Sequence, residues 1–181
     1  LDSTIAMDDG LTQPFTPLRT EKNAIKGLGH RLFLTEDGLP KQVQSCFSPS
    51  VDRISRTSRD ILSSPAEFQI FSPGIQEITQ PAAITEQKEG IVRWKSERTA
   101  GALTVSIEGS MEYDGYCEYR VTIDAREDTP VENFLLRLPY SRDAAKYWMG
   151  LGEMGGFRKK DLDWKWNSKY NQDTLWMGDV N

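Results

Sequence analysis

The sequence predicts an all-β protein built as an antiparallel β-sandwich, with aromatic, glycine-rich loops toward the C-terminus. Three observations carry that prediction. Residues 103–113 alternate: Leu103, Val105, Ile107, Gly109, Met111 and Tyr113 fall on one face, and Thr104, Ser106, Glu108, Ser110 and Glu112 on the other. Asp114-Gly115 is a hairpin turn signal, and alternation resumes through residues 116–125. Elsewhere the chain offers many short strand-like segments separated by turn chemistry, with almost no helical period.

In chain order, residues 1–23 read as an extended lead-in punctuated by Pro14 and Pro17, with turn chemistry at Asp8-Asp9-Gly10 and room for an edge strand at residues 15–18. The sandwich domain is expected over residues 24–181. Arg31-Leu32-Phe33-Leu34 reads as a strand, Glu36-Asp37-Gly38-Leu39-Pro40 as a turn, and residues 41–47 as a half-buried partner, which together predict a hairpin. Residues 48–58, rich in serine and arginine, read as a loop. Strands follow at residues 68–71, at 75–78 after the Ser72-Pro73-Gly74 turn, more weakly at 84–88, and at 91–97 with Trp94 as a core residue. The apolar density of residues 131–139 predicts a buried strand. Ser141, with Asp143 behind it, suits the cap of one helical turn reaching Tyr147. Residues 148–156 carry too many glycines to predict regular structure.

Composition narrows the function classes. The chain has 181 residues, 38% hydrophobic and 27% charged, enough for one good core in a soluble globular protein. A net charge of −5 argues against nucleic acid as partner, since phosphate binding wants a basic face. The densest basic run, Arg158-Lys159-Lys160, is followed at once by Asp161 and Asp163 and reads as a solvated loop. No apolar run approaches the roughly 20 residues of a membrane helix. The chain begins at Leu1 with no basic or apolar leader, as a mature secreted product or an excised piece would. Cys46 and Cys117 permit one intrachain disulfide or two buried thiols. A single histidine, His30, builds no metal cluster, and no cofactor is expected.

Four of the five tryptophans (Trp148, Trp164, Trp166 and Trp176) lie among glycines and charges in the last third of the chain. Trp164 and Trp166 are two apart, so on a strand they would share a face and offer parallel rings to the apolar side of a sugar, with Trp176 nearby. The plainer alternative is that the indoles lid the core or bury against a neighbouring domain. An enzyme reading needs two carboxylates flanking one glycosidic bond, and the weak candidates are Glu153, Asp163 and Asp173. No spacing singles out a pair, and solvated loop acids explain them as well. Gly150-Leu151-Gly152 and Gly155-Gly156 lack the strand–helix context of a dinucleotide site. No motif supports Ser/His/Asp catalysis.

Tyr113-Asp114-Gly115-Tyr116, Tyr147-Trp148-Met149-Gly150-Leu151-Gly152, Trp164-Lys165-Trp166 and Leu175-Trp176-Met177-Gly178-Asp179-Val180-Asn181 together carry a resemblance, and the Arg31-Leu32-Phe33-Leu34…Asp37-Gly38-Leu39-Pro40 run fits it. The chain resembles the N-terminal β-rich region of large bacterial glycoside-hydrolase-like proteins of unknown function, distantly like family 123 glycoside hydrolases. The resemblance implies a large β-sandwich, of the galactose-mutarotase-like supersandwich kind, preceding a separate catalytic barrel that carries the chemistry. It also implies that the pattern at residues 176–181 continues in such proteins, so that further chain completes a sheet edge. The expected role is a non-catalytic accessory module, carbohydrate-binding or domain-packing, of a secreted or periplasmic protein. Its partners would be a carbohydrate or the adjacent catalytic domain, with no nucleic acid and no membrane span. The alternatives are a glycoside hydrolase using acids of this chain, and a structural interaction domain with the tryptophans as interface anchors.

Overall fold

The computed structural model describes residues 10–72, 77–165, 169 and 174–179, and within them every regular element is a β-strand. Strands β1 (Arg19–Glu21), β2 (Ala24–Gly27), β3 (His30–Leu34), β4 (Pro40–Phe47) and β5 (Ile54–Asp60) form an antiparallel meander in that order. Next comes β6 (Glu67–Phe71), and then a second meander of β7 (Glu77–Gln87), β8 (Ile91–Ala100), β9 (Leu103–Glu112) and β10 (Cys117–Ala125). Strand β11 (Asn133–Arg137) returns to pair antiparallel with β6. Finally β12 (Tyr147–Gly150) lies between β13 (Glu153–Phe157) and β14 (Leu175–Gly178) in a three-stranded sheet.

The hairpin with the clearest alternation forms in continuous register, from Cys117↔Met111 to Ala125↔Leu103. Gly115, at φ 94°, closes its turn, and the Asp114 carboxylate accepts the Tyr116 N–H at 2.8 Å. Strand β9 buries alternate residues, as a period of two requires. At one end of that face Met111, with Val92 and Trp94 of β8, packs against Leu18, Ile25, Leu32 and Leu34 of the first meander. At the other end Val105 and Ile107 pack against Leu39, Ala66 and Phe68. The second meander thus has its inner face covered by the first meander and by β6. Each fully buried Val, Leu or Ile contributes about 1.5–3 kcal/mol.

The inner face of β8 holds this arrangement in register. The Trp94 indole is buried, donates its Nε1–H to the Gly38 carbonyl at 2.8 Å, and lies against Gly109, where a Cβ would come within 2.2 Å of the ring. Two residues on, the Ser96 hydroxyl donates to the Asp37 carbonyl. Two further on, Arg98 donates to the Phe68 carbonyl at 2.8 Å and faces the Asp37 carboxylate at 3.7 Å. Trp94 and Ser96 thus each donate to a carbonyl of the β3–β4 turn and Arg98 to one of β6, so these polar groups on a core face are met by main-chain acceptors.

Several segments depart from what the sequence predicts. The Ser/Arg-rich stretch read as a loop supplies β5, an edge strand with almost every residue exposed. A strand with neither face buried has no alternation to show. The two segments expected on either side of Pro81 are one strand, β7. It tolerates the proline because it is an edge strand with its register shifted between Gln80 and Ala83. Strand β11 is exposed along its whole length rather than buried. Residues 141–147 form no helix. One turn closes through Ala144 N–H to the Ser141 carbonyl at 3.2 Å, and Ala145 at φ 50° then carries the chain away. The glycines of residues 150–152 make a hairpin instead of preventing one: Gly150, Leu151 and Gly152 have φ of 121°, 54° and 76°. Near the start of the chain Leu18 is buried and bonds to the Glu89 carbonyl, and pairing begins at Arg19 rather than at residues 15–18. Most of the expected Ser72-Pro73-Gly74 turn and the start of the strand at 75–78 lie outside the described residues. Both cysteines are free thiols.

Candidate functional site

The aromatic segment divides by burial. Trp148 is 4% exposed, and the Lys159 ammonium stands 5.1 Å from its ring centroid, a cation–π contact. The same ammonium pairs with the Glu153 carboxylate, so Glu153 sits in a surface ion pair at the start of β13. Asp163 lies in exposed irregular chain. Asp173 and Trp166 lie outside the described residues, and Trp164 is half-buried in irregular chain. Trp176, on β14 opposite Met149, is 40% exposed and backs its ring against Gly178, where a Cβ would come within 2.5 Å. Among the described residues Trp176 is thus the expected binding tryptophan with the clearest exposed surface. No described cluster of three or more His, Cys, Asp and Glu is placed to hold a metal ion.

A cleft of about 620 Å³ lies between the β4–β5 corner and the start of the three-stranded sheet. Its walls include Phe47, Arg53, Arg59, Lys146, Tyr147 and Asp179, and the turn between β4 and β5 and serine and threonine residues of both strands line the rest. Asp179 closes one side. One oxygen accepts the Lys146 N–H at 2.9 Å and the other lies 3.6 Å from the Arg59 guanidinium, which also reaches the Asp143 carbonyl at 3.5 Å. In the turn between β4 and β5 the Ser48 and Ser50 hydroxyls donate to Asp52 at 2.7 and 2.6 Å, which holds that carboxyl below its usual range. Val51, between them, takes φ 56°, a left-handed conformation that a β-branched residue rarely adopts. The Tyr147 ring is braced by Phe157, with centroids 5.1 Å apart.

Sequence reasoning missed this cleft. It is assembled from residues 45–59, 146–147 and 179, and most of the first stretch, residues 48–58, reads as loop. The regular spacing of Ser55, Thr57 and Arg59 is the one signal that marks a polar strand face.

A second surface feature is apolar. Phe134, Leu135, Leu136 and Leu138, on and just after β11, are exposed, with the Phe134 ring stacked at 6.2 Å on Phe68. Met149, Met154, Phe157 and Leu175 are exposed on the three-stranded sheet, Met154 to 93%. Single exposed apolar residues are ordinary, but runs of them along whole strands mark interaction surfaces.

Comparison with curated proteins and with solved structures returns no match. A family model described as glycoside hydrolase 123, third domain, matches residues 18–181. The match opens at Leu18, the first of the described residues in the core, and covers all fourteen described strands. The chain belongs to the glycoside hydrolase 123 third-domain family.

Proposed function

We propose that this domain is a non-catalytic accessory module of a secreted glycoside-hydrolase-like protein, and that its main task is to pack against a neighbouring domain. The observation that carries this reading is the apolar surface of β11 and β13, two strands exposed along their whole length. Among the described strands β11 pairs with β6 alone, which leaves its other edge for a further partner. Glu153 is held in an ion pair with Lys159, and Asp163 lies in exposed irregular chain.

The test uses Leu136→Lys and Met154→Lys in the full-length parent. Packing predicts that each variant loosens the domain, read as faster limited proteolysis next to it, while the isolated domain keeps its melting temperature. Unchanged proteolysis in both variants would sink the packing role. Hydrolysis of any aryl glycoside by the isolated domain, lost on Glu153→Gln or Asp163→Asn, would replace it with an enzyme.

A second reading rests on Trp176, whose ring is backed by a glycine and partly open to solvent. One such ring suits a weak glycan contact. Loss of a saccharide-induced fluorescence change on Trp176→Ala would support that reading.

A further inference from the structure

We propose that the cleft between β5 and β12 binds an acidic saccharide through its uronate carboxylate. This goes beyond the packing role and uses other residues. The chain as a whole is acidic, at −5, yet among the residues lining this cleft Arg53, Arg59 and Lys146 stand against the single carboxylate of Asp179. That carboxylate is engaged, by the Lys146 main chain on one oxygen and by Arg59 on the other. The Arg53 guanidinium lies 3.5 Å from Asp52 through Nε, which leaves its terminal nitrogens to donate elsewhere. Among the described residues no carboxylate pairs with the Lys146 ammonium. Cations gathered in a concave surface focus a positive potential there and select an anion from a neutral competitor.

The remaining lining narrows the anion to a saccharide. The Ser55 and Thr57 hydroxyls lie 2.8 Å apart on β5 and can each donate and accept, as sugar hydroxyls require. Phe47 and Tyr147 add apolar ring surface on the same cleft, suited to the C–H face of a pyranose. A volume of about 620 Å³ falls within the range of small-ligand sites, about 300–1,000 Å³. A bare sulfate or phosphate would leave most of that lining unused. Arginine suits a carboxylate in particular, because its planar fork matches the two oxygens. The walls are fixed in advance: β5 is laddered to β4, Asp179 ties β5 to the start of β12, and Val51 is held left-handed by its Ser48 turn. Backbone held in so sparsely populated a conformation is characteristic of binding sites.

The test is calorimetric titration of the domain with tetragalacturonate, tetramannuronate and a hyaluronan tetrasaccharide. Neutral galactotetraose and inorganic sulfate serve as comparisons. The expected result is saturable binding of at least one uronate, weakened by added salt, with galactotetraose and sulfate at least tenfold weaker. Lys146→Gln and Arg53→Gln each weaken the uronate by about tenfold or more, as loss of one charge-assisted hydrogen bond does. Neither side chain holds the fold together, so both variants should melt with the parent domain. Silence with all three uronates overturns the proposal, as does equal binding of galactotetraose or of sulfate. Undiminished binding in both variants overturns it too. Leu136→Lys and Met154→Lys leave this titration untouched, so the packing role and the cleft stand or fall separately.

Discussion

Asp179 and Arg59, 120 positions apart in the chain, meet across 3.6 Å, with the second oxygen of Asp179 accepting the Lys146 N–H at 2.9 Å. This one carboxylate joins the edge of the first meander to the entry of β12 and the end of β14. Arg59 is half exposed, so its share of the attraction is screened and small. The main-chain hydrogen bond carries most of the value. Asp179→Ala should cost about 1 kcal/mol in urea unfolding, and Asp179→Asn less, because the amide oxygen still accepts the Lys146 N–H. Equal losses in the two variants would mean that charge, not the hydrogen bond, is what matters.

Trp94 and Gly109 face each other on paired strands with no room for a methyl group between them. Gly109→Ala must push the indole off its bond to the Gly38 carbonyl or bend β9, and roughly 1–3 kcal/mol of stability should go with it. Trp94→Ala should cost about 3–5 kcal/mol. If Gly109→Ala melted at the parent temperature, the close contact would have to be far softer than its geometry indicates.

His30 supplies the pH dependence. Its Nδ1 donates to the Leu28 carbonyl at 2.9 Å and its Nε2 is buried without a partner. Burial holds the imidazole below its ordinary value of 6.5, against the smaller opposing pulls of the Leu28 carbonyl and Asp114. The unfolded chain takes up a proton near 6.5 while the native state resists it. Stability is therefore fully present above that value, falls as pH drops toward the native pKa, and then levels off. Urea midpoints at pH 7.5 and 5.5, compared between the parent and His30→Gln, isolate the effect. The gap between the two proteins should change with pH in favour of the variant at pH 5.5, and a gap independent of pH would exclude His30 as its source.

The thiols should be silent in the native state. Cys46 is buried, and burial beside Asp114 pushes the Cys117 thiol up to about 12. Since the thiolate is the reactive form, a disulfide-exchange reagent at pH 8 should titrate neither cysteine in the native protein and both after denaturation. A fast-reacting thiol in the native protein would contradict the burial of that site.

The sequence made the β9–β10 hairpin legible because one of its faces is buried, and burial writes a period of two into the residues. It made Trp94 legible as core for the same reason. Ser96 and Arg98 were not legible, although they share that face, because their partners are main-chain carbonyls that composition cannot reveal. Strand β5 escaped notice because exposure removes alternation, and β11 was misread because apolar residues were equated with burial. The cleft was invisible for a third reason: Arg59, Lys146 and Asp179 come together only through pairing between distant segments. The expected platform of Trp164 and Trp166 was a local inference of the kind sequence supports best. Trp166 nonetheless lies outside the described residues, and Trp164 is half-buried in irregular chain.

The pairing of β6 with β11 sets an order of assembly. Phe71 opposes Asn133, so the two strands close a loop of roughly sixty residues that contains the whole second meander, and closing such a loop from an open chain carries a large entropic cost. The three hairpins inside it close with short turns and form first, bringing β6 and β11 close before they meet. That ladder should form after those hairpins and, with β11 exposed along its length, open before them. Its amide protons should exchange with solvent ahead of those in β8 and β9, and the domain would begin to unzip at the strand proposed to meet its neighbour.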